Sequence, residues 1–204
     1  MGKLALQDVQ SDLADLFGKL SGSDASIWCE ALNKFLRKKS PCPTVGYILA
    51  NVTLGTHKTV GELENAILQE GNKIPPVGSE ILRKVVVAQE QIELELVAVT
   101  GGEFGFEGLP VRDKIYTKAK SLGLRICPAE VGPQLRRVFQ NQRMGDRRLW
   151  IAMEPISDSK DVPQVFVLEC RKDNSLWLSA APGYRESYCS LDDVWVFVRP
   201  AAAY

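Results

Sequence analysis

The hydrophobic period of this chain changes near residue 149, and that change limits the folds open to it. Before that point apolar residues recur mainly at helical spacing. After it they fall in short runs rich in β-branched and aromatic residues, roughly 149–156, 164–171, 175–181 and 193–199. Lys172, Asp173 and Asn174 supply turn chemistry between two of the runs, and Trp150, Phe166, Trp177, Trp195 and Phe197 concentrate the large rings there as core. Helices followed by strands predict an α+β fold rather than a doubly wound α/β sheet. The simplest closure is a C-terminal antiparallel β-meander of four strands.

Residues 1–40 read as a helical hairpin. Leu4, Leu6, Val9, Leu13, Leu16, Phe17 and Leu20 form one apolar face, and Ile27, Trp28, Ala31, Leu32, Phe35 and Leu36 form a second. Residues 21–24, Ser-Gly-Ser-Asp, break and cap the pattern, and Pro41 and Pro43 end it. Residues 41–204 are the second domain, helix-rich over 41–148 and an antiparallel sheet over 149–199. Within it, 44–56 is extended, Thr59 and Glu62 form a capping box, and Pro75-Pro76 opens a second helix. Residues 85–100 are a strand, and a further helix runs from near Pro110 to Gly123. A short helix after Cys127-Pro128 is kinked or restarted at Pro133.

With 204 residues, 45% apolar and 25% charged, the chain is long enough to build a core without disulfide or metal staples. No apolar run approaches the length of a membrane span, so a soluble protein without a membrane partner is expected. Formal charge is zero, but residues 101–148 carry ten basic against five acidic groups, a local excess of +5. Five cysteines, an odd number without CxxC spacing, and a polar N-terminus argue for reduced thiols in a cytoplasm. His57 stands alone, which excludes Cys₂His₂ and HExxH zinc sites.

Two clusters carry candidate chemistry. Arg136, Arg137, Arg143, Arg147 and Arg148, interleaved with amides and Phe139, suit phosphate contacts by a nucleic-acid-binding module. Asp158 or Asp161 with Glu169 on the next strand suits a metal-dependent hydrolase or nuclease, although Arg171 stands where such sites use a lysine. The glycines of residues 101–108 lack the Lys-Ser/Thr of a phosphate loop.

The string LGLRICPAEVGPQLR at 122–136 and WIAMEPISDS at 150–159 are distinctive. Together with FLRK at 35–38, LGT at 54–56, VF at 165–166 and VWVF at 194–197, the chain resembles an uncharacterised family of short bacterial proteins from candidate-phylum and environmental genomes. The resemblance covers about residues 30–199. It implies a shared fold and a bacterial, cytoplasmic setting, and brings with it no activity, cofactor or catalytic residue.

The leading expectation is therefore a non-catalytic interaction module. It binds an unidentified protein partner through the helical hairpin or a sheet face, with no cofactor, no metal and no catalytic residue. Nucleic-acid binding through residues 136–148 is the first alternative and metal-dependent hydrolysis the second.

Overall fold

The computed structural model describes residues 10–28, 32 and 45–200, and the chain divides into two compact units, Met1–Ser40 and Pro41–Tyr204. In the first unit α1 spans Gln10–Ser21. Lys19 pairs with Asp15 one turn earlier at 2.6 Å, and its ammonium sits 4.7 Å from the Trp28 ring. The amide of Ala25 donates to the Gly22 carbonyl and those of Ile27 and Trp28 to the Asp24 carbonyl, so helix resumes over residues 25–28. This is the turn expected inside the hairpin. Most of the expected second arm, with Cys29, Phe35 and Leu36, lies outside the described residues, as does Cys42 after it.

The second unit is α+β. Its elements in chain order are β1 (Tyr47–Leu54), α2 (Val60–Gln69), α3 (Pro76–Leu82), β2 (Ile92–Thr100), α4 (Arg112–Ser121), α5 (Val131–Val138), β3 (Leu149–Ile151), β4 (Ile156–Ser157), β5 (Pro163–Cys170), β6 (Leu176–Pro182) and β7 (Val194–Arg199). The capping box is formed: Thr59 Oγ1 accepts from the Glu62 amide at 3.2 Å, and Glu62 Oε2 accepts from the Thr59 amide at 3.3 Å. α3 begins at the expected second proline, which needs no amide partner there. Pro133 produces neither kink nor restart, because α5 starts at Val131 and the ring falls in the first turn, where backbone amides have no helical partner anyway.

The strands form one seven-stranded sheet, β1-β2-β7-β3-β5-β4, with β6 on β5. β6 pairs along nearly the whole of β5, so β3 and β4 share the other edge of that strand. β3, β5 and β6 are antiparallel neighbours as expected. The last strand departs from the meander. β7 lies between β2 and β3, antiparallel to the first and parallel to the second. The reason is in its side chains: Val194, Trp195, Val196, Phe197 and Val198 are all buried, and a strand without a polar face is stable only where both faces are covered.

Both faces are covered. Leu96, Ala98, Val194, Val196 and Val198 point into a core closed by α2, α3 and α5, with Leu63, Ile67, Ile81, Val131 and Leu135. Val97, Val99, Trp195 and Phe197 point the opposite way, against Ile115 and Ala119 of α4 and Phe104 of the 101–108 loop. Phe104 meets Phe197 edge-on at 5.9 Å, so that glycine-rich loop plugs a core. α5 approaches the sheet so closely that a Cβ on Gly132 would lie 2.8 Å from the Phe166 ring, which only glycine allows.

Candidate functional site

The five arginines of residues 136–148 have different fates. Arg136 is fully buried; it donates to Gln142 Oε1 at 2.9 Å and to the Phe139 carbonyl. Burial pulls its pKa down to about 10, which leaves it charged at neutral pH. It ties α5 to the following loop and presents nothing to a phosphate. Arg137 is held at 2.7 Å by Glu70, the residue that caps the C-terminus of α2. Arg143, Arg147 and Arg148 are exposed on the 139–148 loop, Arg147 paired with Asp192 at 2.9 Å and Arg148 with Glu169 at 3.1 Å.

The candidate metal carboxylates do not meet. Asp158 accepts from the Lys160 and Val162 amides and from Gln164 Nε2, so it closes the turn before β5. Burial alone would raise its carboxyl, but these hydrogen bonds hold it below the usual range. Glu169 lies at the far end of β5, five residues beyond Gln164, or roughly 16 Å along an extended strand. Asp161 takes a left-handed φ of 58° in the same turn as Asp158. Among the described residues no three His, Cys, Asp or Glu side chains converge to hold a metal. Glu169 is instead ringed by donors: Arg148 Nε on one oxygen, and Arg171 Nε, Arg171 Nη2 and Ser179 Oγ on the other, at 2.7 to 3.1 Å.

That cluster borders an open groove of about 1050 Å³. One wall is the β5–β6 hairpin end, with Arg171, Lys172, Asp173 and Trp177; the other is the loop around Met144 and Arg148. The Arg171 guanidinium stacks on the Trp177 ring at 3.6 Å, and Lys73 approaches the same ring at 5.5 Å. Trp177 is anchored by its indole N–H, which donates to Ser175 Oγ at 2.6 Å. The rings of the C-terminal strands thus divide. Trp195, Phe166 and Phe197 are core, as expected, while Trp177 stays half-exposed beside the groove. The available signal was its place, two residues past a Lys-Asp-Asn-Ser turn and flanked by cations.

A second polar cluster joins two of the distinctive strings. Glu130, in the turn before α5, is 1% exposed and accepts from the Gly55 amide at 2.8 Å, the Ala88 amide at 2.7 Å and Gln134 Nε2 at 3.0 Å. Gln134 also donates to Thr56 Oγ1 at 2.9 Å, and Thr56 Oγ1 lies 3.0 Å from His57 Nδ1. Arg137 Nη1 is 3.4 Å from the same nitrogen. The network joins β1, α5 and the 83–91 connection, and among the described residues no cysteine or serine side chain is hydrogen-bonded to His57.

Comparison with models of protein families, with curated proteins and with solved structures found no match to this chain.

Proposed function

We propose that the chain is a non-catalytic interaction module that binds a protein partner in the groove beside the β5–β6 turn. The observation that carries the reading is the Arg171 guanidinium stacked on Trp177 at 3.6 Å in an open groove. Tryptophan and arginine supply a disproportionate share of binding energy at protein interfaces. Glu169 already orders the arginine, which lowers the entropy cost of docking. Glu169, Asp146 and Asp173 line the same groove beside Arg148, Arg171 and Lys172, a balanced set of charges that suits a mixed-charge protein surface. Nucleic-acid binding remains the second reading because Arg143, Arg147 and Arg148 are exposed on one loop. A bacterial cytoplasmic setting accords with the family resemblance and with Cys127, Cys170 and Cys189, which are unpaired.

The test is capture by immobilised wild-type protein, Trp177→Ala and Arg171→Glu, each checked for native circular dichroism. The reading expects a protein retained by the wild type and lost from both variants. Retention by both variants overturns it. Labelled single-stranded nucleic acid that binds at about 50 mM salt and is released by about 200 mM would favour the second reading.

A further inference from the structure

Arg112 opens α4 and is 2% exposed, yet two of its guanidinium nitrogens have no oxygen or nitrogen acceptor among the described residues. Nη2 donates to the Pro182 carbonyl at 2.9 Å, whereas Nε and Nη1 have no oxygen or nitrogen acceptor. The Trp195 and Trp150 rings lie 5.2 and 5.6 Å from the guanidinium carbon, favourable for a cation but unable to take a directed hydrogen bond in its plane. The Cys189 thiol is close by and donates to the Ser187 carbonyl at 3.4 Å. Burial pushes its pKa up to about 11 against the pull of the Arg112 charge and a hydrogen bond with that side chain, so at pH 7 it is a neutral, weak sulfur acceptor and offers no counter-charge. A buried arginine without a partner charge and with spare donors is a costly arrangement unless something else satisfies it.

Those donors border a cavity. Arg112, Lys120 and Arg185 line a pocket of about 50 Å³, together with Tyr116, Glu154 and Gly183. A Cβ on Gly183 would sit 3.0 Å from Arg112 Nη1 and 3.0 Å from Pro155 Cβ, so the missing side chain is what keeps the space before Nη1 open. The pocket runs along one side of α4, from Arg112 in its first turn to Lys120 in its last. The first two amides of the helix are already used, by the Ser187 and Arg185 carbonyls at 3.0 Å, which leaves side chains as the free donors. Three cations stand against two carboxylates, Asp113 and Glu154, and Glu154 is engaged by Arg185 at 3.5 Å. A water occupies about 30 Å³ in the liquid, so the space suits one small group and no organic ring.

We propose that this pocket binds a phosphate group, with Arg112 Nη1 as the buried donor and Lys120 and Arg185 as the outer cations. The same chemistry fits free phosphate and the head of a phosphate monoester. The site is separate from the β5–β6 groove, and neither reading depends on the other.

The test titrates the full chain with inorganic phosphate, and separately with glycerol phosphate, at constant ionic strength. Trp150 and Trp195 fluorescence and the melting temperature are followed together. The expected result is a saturable change below about 10 mM, weakened at least about tenfold by Gly183→Ala and by the Lys120→Gln/Arg185→Gln pair. The pair changes two exposed side chains, so it decides the matter if Gly183→Ala does not fold. Tighter binding of glycerol phosphate than of phosphate assigns a monoester; the reverse assigns the free ion. No saturation in that range, an equal response to chloride, or unchanged affinity in both variants overturns the proposal.

Discussion

Glu130 accepts a hydrogen bond from the Gly55 amide at 2.8 Å, across 75 positions of sequence. Its other oxygen accepts from Ala88 at 2.7 Å, so one buried carboxylate holds the end of β1 and the connection before β2 against α5. Glu130→Ala leaves two backbone donors without their acceptor. Urea unfolding should show a loss of about 3 kcal/mol, with Glu130→Gln intermediate because it keeps one oxygen. A loss below about 1 kcal/mol would mean the junction is held by packing alone.

Gly132 and Phe166 form a steric pair. Gly132→Ala should destabilise by about 1–3 kcal/mol, since the added methyl has no room at 2.8 Å. Combined with Phe166→Ala the two costs should not add, because the ring that excludes the methyl is gone. Strict additivity in a double-mutant cycle would refute the contact.

Asp158 makes stability depend on acid in a defined direction. Its folded pKa lies below its unfolded value, so its contribution is present above about pH 4 and is lost as pH falls through the folded value. Asp158→Asn should therefore melt earlier than wild type at pH 7, and the difference should narrow at pH 3. A constant difference across that range would remove the charge from the explanation.

The three described thiols should react in a set order. Cys170 is partly exposed in the groove, while Cys127 is buried with its thiol donating to the Val196 carbonyl at 3.3 Å. Burial raises the pKa of both Cys127 and Cys189. Brief alkylation of the native protein at pH 8, read by peptide mass spectrometry, should label Cys170 ahead of the other two. Labelling of Cys127 first would contradict the packing of β7 over it.

Local signals proved legible where their causes were local. Thr59 and Glu62 sit three residues apart and satisfy each other's backbone, so the cap could be read directly. The place of β7 is legible in kind: Val-Trp-Val-Phe-Val has no polar face, which is the mark of a strand covered on both sides and does not suit the end of a meander. Arg136 and Arg112 could not be read as buried, because each sits in a polar stretch and is enclosed by distant elements. Arg136 is covered by a loop returning with Gln142, and Arg112 by the rings of β3 and β7. The groove is half legible: Glu169 and Arg171 stand out in the sequence as a carboxylate and a cation of a candidate site, but Trp177 beneath the guanidinium requires the β5–β6 register, which pairs Glu169 with Trp177.

The insertion of β7 also orders events during synthesis. β1 with β2, and β3 with β5 and β6, can pair as soon as they leave the ribosome, but among the described residues the strand that joins the two groups is the seventh to emerge. Until residue 199 is free, β2 and β3 each present an unpaired apolar border to the cell, the kind of surface that recruits other chains. A nascent protein of this topology is therefore exposed to misassembly from the emergence of β2 until β7 inserts.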